Sequence, residues 1–153
     1  LVGKKEIYVP YNSYKLSDKK LKYKEDIIRK FTPNADLMRY ELHRVWEVEA
    51  NLKPGSRHIY AKRVFYLDED SWTVLYEDAY DTRKQLWRVS MFPMIQFYDA
   101  KVPWYRANIW HDLNNGNYLF SNVYNEIKTP WVFGEKSPWG DFQPDALRRI
   151  GTK

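Results

Sequence analysis

Four consecutive segments, 41–50, 57–67, 72–80 and 85–92, alternate apolar and polar residues with the period of a β-strand. Turn signals separate them: Lys53-Pro54-Gly55-Ser56, Asp68-Glu69-Asp70-Ser71 and Asp81-Thr82-Arg83-Lys84. A period of two wound into a helix would scatter its apolar residues around every side, so this stretch is committed to an antiparallel meander. Turns of six, four and four residues set the register: Ala50 faces Arg57, Leu67 faces Trp72, and Tyr80 faces Gln85. One face then collects Leu42, Trp46, Val48, Ala50, Ile59, Ala61, Phe65, Leu67, Trp72, Val74, Tyr76, Trp87, Val89 and Met91. The other collects Glu47, Glu49, His58, Lys62, Glu77 and Arg88, with Lys62 opposite Glu77 and Glu77 opposite Arg88, as a solvated face favours. The apolar face requires a cover.

The rest of the chain reads around this meander. Residues 5–11 form a short strand ending near Pro10. Residues 15–38 are lysine-rich and weakly periodic, a loop with one short helix near 25–30. Strands over 105–113 and 118–125 flank Asn114-Asn115-Gly116-Asn117, a hairpin signal. Residues 127–143 form an aromatic strap with Trp131, Phe133, Trp139 and Phe142. A terminal helix over 144–150 starts at proline and stops at Gly151. The 153 residues fit a single domain, 1–153.

Several function classes lose their footing on composition. The net charge is +5, but residues 15–30 and the last six residues carry the excess, and the body, 31–147, is mildly acidic. A nucleic-acid reader concentrates its positive charge on the folded binding surface, so no nucleic-acid partner is expected. Cysteine is absent, which removes disulfides and thiolate metal sites. No stretch approaches the roughly 18 apolar residues of a membrane-spanning helix.

Catalytic and metal motifs are missing as well. His43, His58 and His111 stand at no metal-ligand spacing; His43 and His58 fall on the polar face, and His111 falls inward with Ile109 and Phe120. Asp68-Glu69-Asp70 lacks the glycine and distal glutamate of a calcium loop and reads as an acidic turn. Ser90 and Ser121 have no nucleophile motif around them. Paired carboxylates such as Glu47 with Glu77 sit on the charge-laddered face. The expectation is a protein that is not an enzyme and holds no metal or cofactor.

Several stretches then resemble one family. They are Gly3-Lys-Lys-Glu-Ile-Tyr-Val-Pro-Tyr-Asn12, Arg39-Tyr-Glu-Leu-His-Arg-Val-Trp46, Arg57-His-Ile-Tyr-Ala-Lys-Arg63 and Phe65-Tyr-Leu-Asp-Glu-Asp-Ser-Trp72. Tyr80-Asp81 with Gln85-Leu-Trp-Arg88, Val102-Pro-Trp-Tyr105 and Asp141-Phe-Gln-Pro-Asp-Ala-Leu-Arg-Arg-Ile-Gly151 complete the set. The chain resembles the C-terminal part of a longer proteobacterial family, domain of unknown function 1329, described as outer-membrane lipoprotein-sorting-like. The resemblance implies a mainly β fold, an antiparallel meander within a curved half-barrel sheet around a helical plug, as in lipoprotein carriers. It implies a place in the periplasm or at the outer membrane of a Gram-negative bacterium. It also implies that the N-terminal part of the same protein or another chain covers the sheet, and a place beside a membrane transporter of the resistance-nodulation-division type.

Two roles fit these residues. One is a carrier for a lipid or other hydrophobic ligand; the alternative is a carbohydrate-binding or envelope assembly module using exposed aromatic platforms. For the carrier, the site expected is Arg44, Arg63, Trp46, Phe65, Val74, Asp78 and Trp87. In the register above Arg44 lies opposite Arg63 on the apolar face, with Asp78 near Ala61 and Trp87. Two guanidinium groups facing each other call for an anion between them, such as the carboxylate or phosphate of an amphiphile whose tail lies along Trp46, Phe65, Val74 and Trp87.

Overall fold

The structure, a computed structural model, describes residues 1–128 and 132–151. Nine strands form in chain order: β1 Gly3–Pro10, β2 Tyr40–Asn51, β3 Lys62–Asp68, β4 Val74–Tyr80, β5 Leu86–Met91, β6 Met94–Phe97, β7 Val102–Tyr105, β8 Asn108–Asp112 and β9 Asn117–Ser121. One α-helix, α1, spans Pro144–Gly151. Seven strands make an open sheet in the order β1-β2-β3-β4-β5-β8-β9, and β6 and β7 pair as a separate hairpin. All strand pairs are antiparallel. The fold is mainly antiparallel β with a short C-terminal helix, as expected. Trp131 of the strap lies outside the described residues.

The meander has the expected strand order but a different register at each turn. Ala50 pairs with Arg63 rather than Arg57, a slip of six residues. The cause is that 57–61 does not join the ladder. The turn signal at Lys53-Pro54-Gly55-Ser56 does form a turn, with Gly55 at φ +79°, but the loop then runs on to Ala61. There the His58 ring Nδ1 accepts from the Tyr60 amide at 3.0 Å, a side-chain partner in place of a strand partner. An even slip leaves every side chain on its face but changes its neighbour. Arg44 therefore loses Arg63 and gains Glu69, its Nη1 lying 3.4 Å from Glu69 Oε2.

The next turn slips by two residues, and a bulge beyond it makes the total odd. Leu67 pairs with Val74, so Trp72 belongs to the turn, at φ +57° with its amide donating to the Asp68 carbonyl. A bulge at Leu75 adds one more residue, and beyond it Phe65 pairs with Glu77 and Lys62 with Tyr80. The odd total exchanges faces. Asp78 goes to the face opposite Arg63 and Trp46, while Glu77 joins them. The expected Lys62–Glu77 and Glu77–Arg88 pairs do not form; Glu77 faces Ser90 and Arg88 faces Ala79. A second irregularity, at Trp87, sets Tyr80 against Leu86.

One face of the sheet is thickly covered. Val9, Tyr11, Val45, Leu75 and Met94 form one buried cluster, with Tyr66, Tyr76 and Tyr105 packed against it. Leu16, Ile27 and Ala107 form a second with Leu21, Tyr23, Leu37 and Phe120. The cover is the lysine-rich segment, tied down at Tyr11–Met94, together with the β6–β7 hairpin. That segment contains three short helical turns, Tyr14–Ser17, Tyr23–Ile27 and Ala35–Leu37, and its Leu16, Leu21, Ile27 and Leu37 pack inward while its lysines are exposed. The helical plug that the resemblance implies is not seen among the described residues. Phe31 packs over the β8–β9 hairpin at Gly116, where φ is +70° and a Cβ would lie 2.9 Å from the Phe31 ring.

Candidate functional site on the open face

Among the described residues, the second face of the sheet has no such cover. Alternation along β2 and β3 brings Trp46, Val48, Phe65 and Leu67 onto it, with Val74 opposite Leu67. These side chains are half-buried, and their neighbours Tyr8, Leu42 and Trp72 are more than half exposed. Trp46 lies near-parallel to Trp72 with ring centroids 6.3 Å apart, and the Lys4 ammonium sits over Trp46 at 4.2 Å. The Trp46 Nε1–H is buried and, among the described residues, has no acceptor. A buried donor without a partner costs about 1–3 kcal/mol.

Toward β4, β5, β8 and β9 the same face becomes polar. A cavity of about 500 Å3 opens there between Tyr60, Arg63, Glu77, Arg88, Trp110 and Asn117. Arg63 Nε donates to Glu77 Oε1 at 2.5 Å, and Ser90 Oγ lies 3.4 Å from the other Glu77 oxygen. Arg88 donates to the Tyr60 hydroxyl at 2.8 Å and to Asp112 Oδ2 at 3.3 Å, and the Trp87 indole N–H reaches the same oxygen at 3.1 Å. The bond to Glu77 holds the Arg63 guanidinium above its ordinary pKa, and the bond to Tyr60 does the same for Arg88.

Five of the seven expected site residues meet on this face: Arg44, Trp46, Arg63, Phe65 and Val74. Two do not join them as expected. Asp78 lies on the covered face, where it accepts the Tyr66 hydroxyl at 2.9 Å and burial with this bond raises the tyrosine pKa. Trp87 sits at the irregularity in β5 and turns its indole to Asp112 and the edge of Tyr60. Arg44 and Arg63 are each met by a carboxylate, Glu69 and Glu77, so no anion is required between them. Glu77, Arg88, Tyr60, Trp110 and Asp112 were not legible as site residues. Glu77 and Arg88 had been placed on a solvated ladder, and only the two strand irregularities bring them beside Arg63.

Two clusters elsewhere hold polar residues in structural roles, one built on His43 and Asp68 and one on Arg106. His43 Nδ1 lies 2.8 Å from Asp68 Oδ1, and Ser71 donates its amide and hydroxyl to Asp68 Oδ2 at 3.1 and 2.6 Å. His43, Asp68 and Asp70 have ligand atoms close enough for a cation, but Asp68 is fully buried and spends its oxygens organising the β3–β4 turn. Arg106, also buried, donates to Ser17 Oγ, the carbonyls of Leu16 and Asn122, and Asn125 Oδ1 at 2.6–3.2 Å. Burial pushes its pKa down to about 10.

The chain is similar to known proteins over most of its length. A family model described as a protein of unknown function, DUF1329, matches residues 1–148. An uncharacterized protein of Pseudomonas aeruginosa is 52% identical over all 153 residues, and the chain spans 33% of that relative's length. Among solved structures, a domain assigned as an outer-membrane lipoprotein-sorting protein from Vibrio parahaemolyticus matches at 19% identity with a TM-score of 0.43, over 70% of this chain and 43% of its own. A DUF1329 protein from Desulfovibrio piger matches at 16% identity and a TM-score of 0.45, over 69% and 41%.

Proposed function

For a chain that belongs to the DUF1329 family of proteins of unknown function, we propose a non-enzymatic binding or carrier role in the envelope, with a lipid or other amphiphile held on the open face of the sheet. The observation that carries this reading is the uncovered stripe of Trp46, Val48, Phe65, Leu67 and Val74, running into the polar cavity at Arg63 and Glu77. A tail on the stripe buries apolar surface at about 25 cal/mol per Å2. A headgroup in the cavity finds fixed donors and acceptors. The chain spans 33% of the length of its Pseudomonas aeruginosa relative, and the N-terminal part of the same protein or another chain is the partner we propose to meet this face. The resemblance favours the periplasm or outer membrane as the location, and a membrane transporter as the partner that loads or unloads the site.

Titration with cis-parinaric acid tests the proposal, because energy transfer from the tryptophans reports bound probe and Phe65→Asp locates it on the stripe. Saturable transfer is expected, and Phe65→Asp is expected to weaken it at least tenfold. Absence of saturable transfer, or full binding by Phe65→Asp, overturns the reading. A carbohydrate-binding or envelope assembly module is the second reading, supported by the exposed rings of Trp104 and Trp139. It predicts binding of tail-free oligosaccharides and none of the fatty acid.

A further inference from the structure

We infer that the cavity on the open face selects an uncharged, hydroxyl-rich headgroup, a sugar ring, over an anionic one; this rests on the proposed amphiphile site. The cavity holds two guanidinium groups and two carboxylates, coupled one to one as Arg63–Glu77 and Arg88–Asp112. It therefore carries no net charge. An anion brought to Arg63 also meets Glu77, which is 7% exposed and lies at the floor of the same cavity. A cation brought to Glu77 meets Arg63. Either charge loses its hydration and gains as much repulsion as attraction.

A hydroxyl group escapes this opposition, because it donates to a carboxylate and accepts from a guanidinium at the same time. Donors remain for it. Arg63 uses only its Nε on Glu77, so its two terminal nitrogens have no hydrogen-bond partner among the described residues. Arg88 spends Nε on Asp112 and one terminal nitrogen on Tyr60. The side chain of Asn117 adds an amide at the rim, where the residue is exposed at the start of β9. Trp110 and Tyr60 supply flat apolar walls against which the C–H face of a pyranose ring can pack. Paired charges, an amide and aromatic walls together match a ring of hydroxyls rather than a phosphate or carboxylate.

The test compares three probes on the protein: dodecyl β-D-maltoside below its micellar concentration, dodecanoate, and maltose. The first two share a tail, and the first and third share a headgroup. Dodecyl maltoside is expected to bind at least tenfold tighter than dodecanoate, and maltose to bind weakly at the same cavity. Glu77→Gln leaves a net positive cavity and is expected to reverse the preference toward dodecanoate. Asn117→Ala, at an exposed position that does not endanger folding, is expected to weaken the maltoside several-fold and leave dodecanoate unchanged. A wild-type preference for dodecanoate overturns the headgroup assignment and leaves the carrier reading standing. Maltose binding as tight as the maltoside supports the sugar site and removes the tail, hence the carrier. Binding of none of the three overturns both.

Discussion

The two faces of the same seven-stranded sheet differ in what the chain does with its apolar residues. On the covered face Val9, Val45, Leu75 and Ile109 are sealed from water by the lysine-rich segment and the β6–β7 hairpin. On the open face Trp46, Val48, Phe65 and Leu67 are as apolar but only half-buried, and the charged residues near them are tied into ion pairs. The chain's own segments bury the first face, and among the described residues none seals the second. The half-buried apolar stripe and the paired charges beside it are the features on which the proposed binding role rests.

The sharpest test of that contrast is at Arg106, which is buried and donates to four separate acceptors. Arg106→Ala strands those acceptors and is expected to cost about 4 kcal/mol in denaturant unfolding. A cost below about 1 kcal/mol would show that the cover is loosely attached. Next in size, Leu75→Ala empties a fully buried position and is expected to cost about 3 kcal/mol. Phe65→Ala on the open face is expected to cost about 1 kcal/mol, with its main effect on ligand binding. Equal losses for Leu75→Ala and Phe65→Ala would erase the distinction between the faces. Ser71→Ala removes the hydroxyl that Asp68 accepts and is expected to cost about 1 kcal/mol through the β3–β4 turn, without changing binding on the stripe.

The smallest effect concerns pH. Burial lowers the pKa of His111, on the covered face beneath the segment around Thr32, while its Nε2 lies 3.1 Å from the Thr32 hydroxyl. A histidine depressed in the folded state is protonated first in the unfolded chain. Its contribution is therefore intact above the ordinary histidine pKa near 6.5 and is lost as pH falls through the lower folded value. His111→Gln is expected to flatten the decline in stability as pH falls below about 6.5 relative to wild type. An unchanged slope would show that His111 is not sealed by the cover.

Much of the architecture was legible in the residues. The period of two in β2–β5, the Asn115-Gly116 hairpin and the Pro144 start of α1 depend on neighbours along the chain, and each appears, although the strand expected over 57–67 begins only at Lys62. The hairpin of β6 and β7 was missed because Pro93 and Pro103 break the strand pattern, although Pro103 sits in β7 opposite Gln96. The role of 15–38 as cover was missed because its buried residues, Leu16 and Ile27, recur at no regular spacing. As for the candidate site, Trp46, Phe65, Arg44 and Arg63 share one face as expected, but Arg63 lies opposite Ala50 rather than Arg44, and their carboxylate partners were not legible.

What the sequence by itself determined is therefore the strands of the meander and of the β8–β9 hairpin, the order within the meander, and which side chains within one strand share a face. Those properties follow from local backbone geometry, which alternates side chains whatever the strand is paired with. The tertiary structure alone decided how each strand slides against the next. A bulge at Leu75, an irregularity at Trp87 and a loop through 57–61 each shift the ladder by one or more residues, and no local pattern announces them. Because an odd shift exchanges the faces, those small displacements are what set Glu77 beside Arg63, sent Asp78 to the other side, and made one cavity out of residues from five strands.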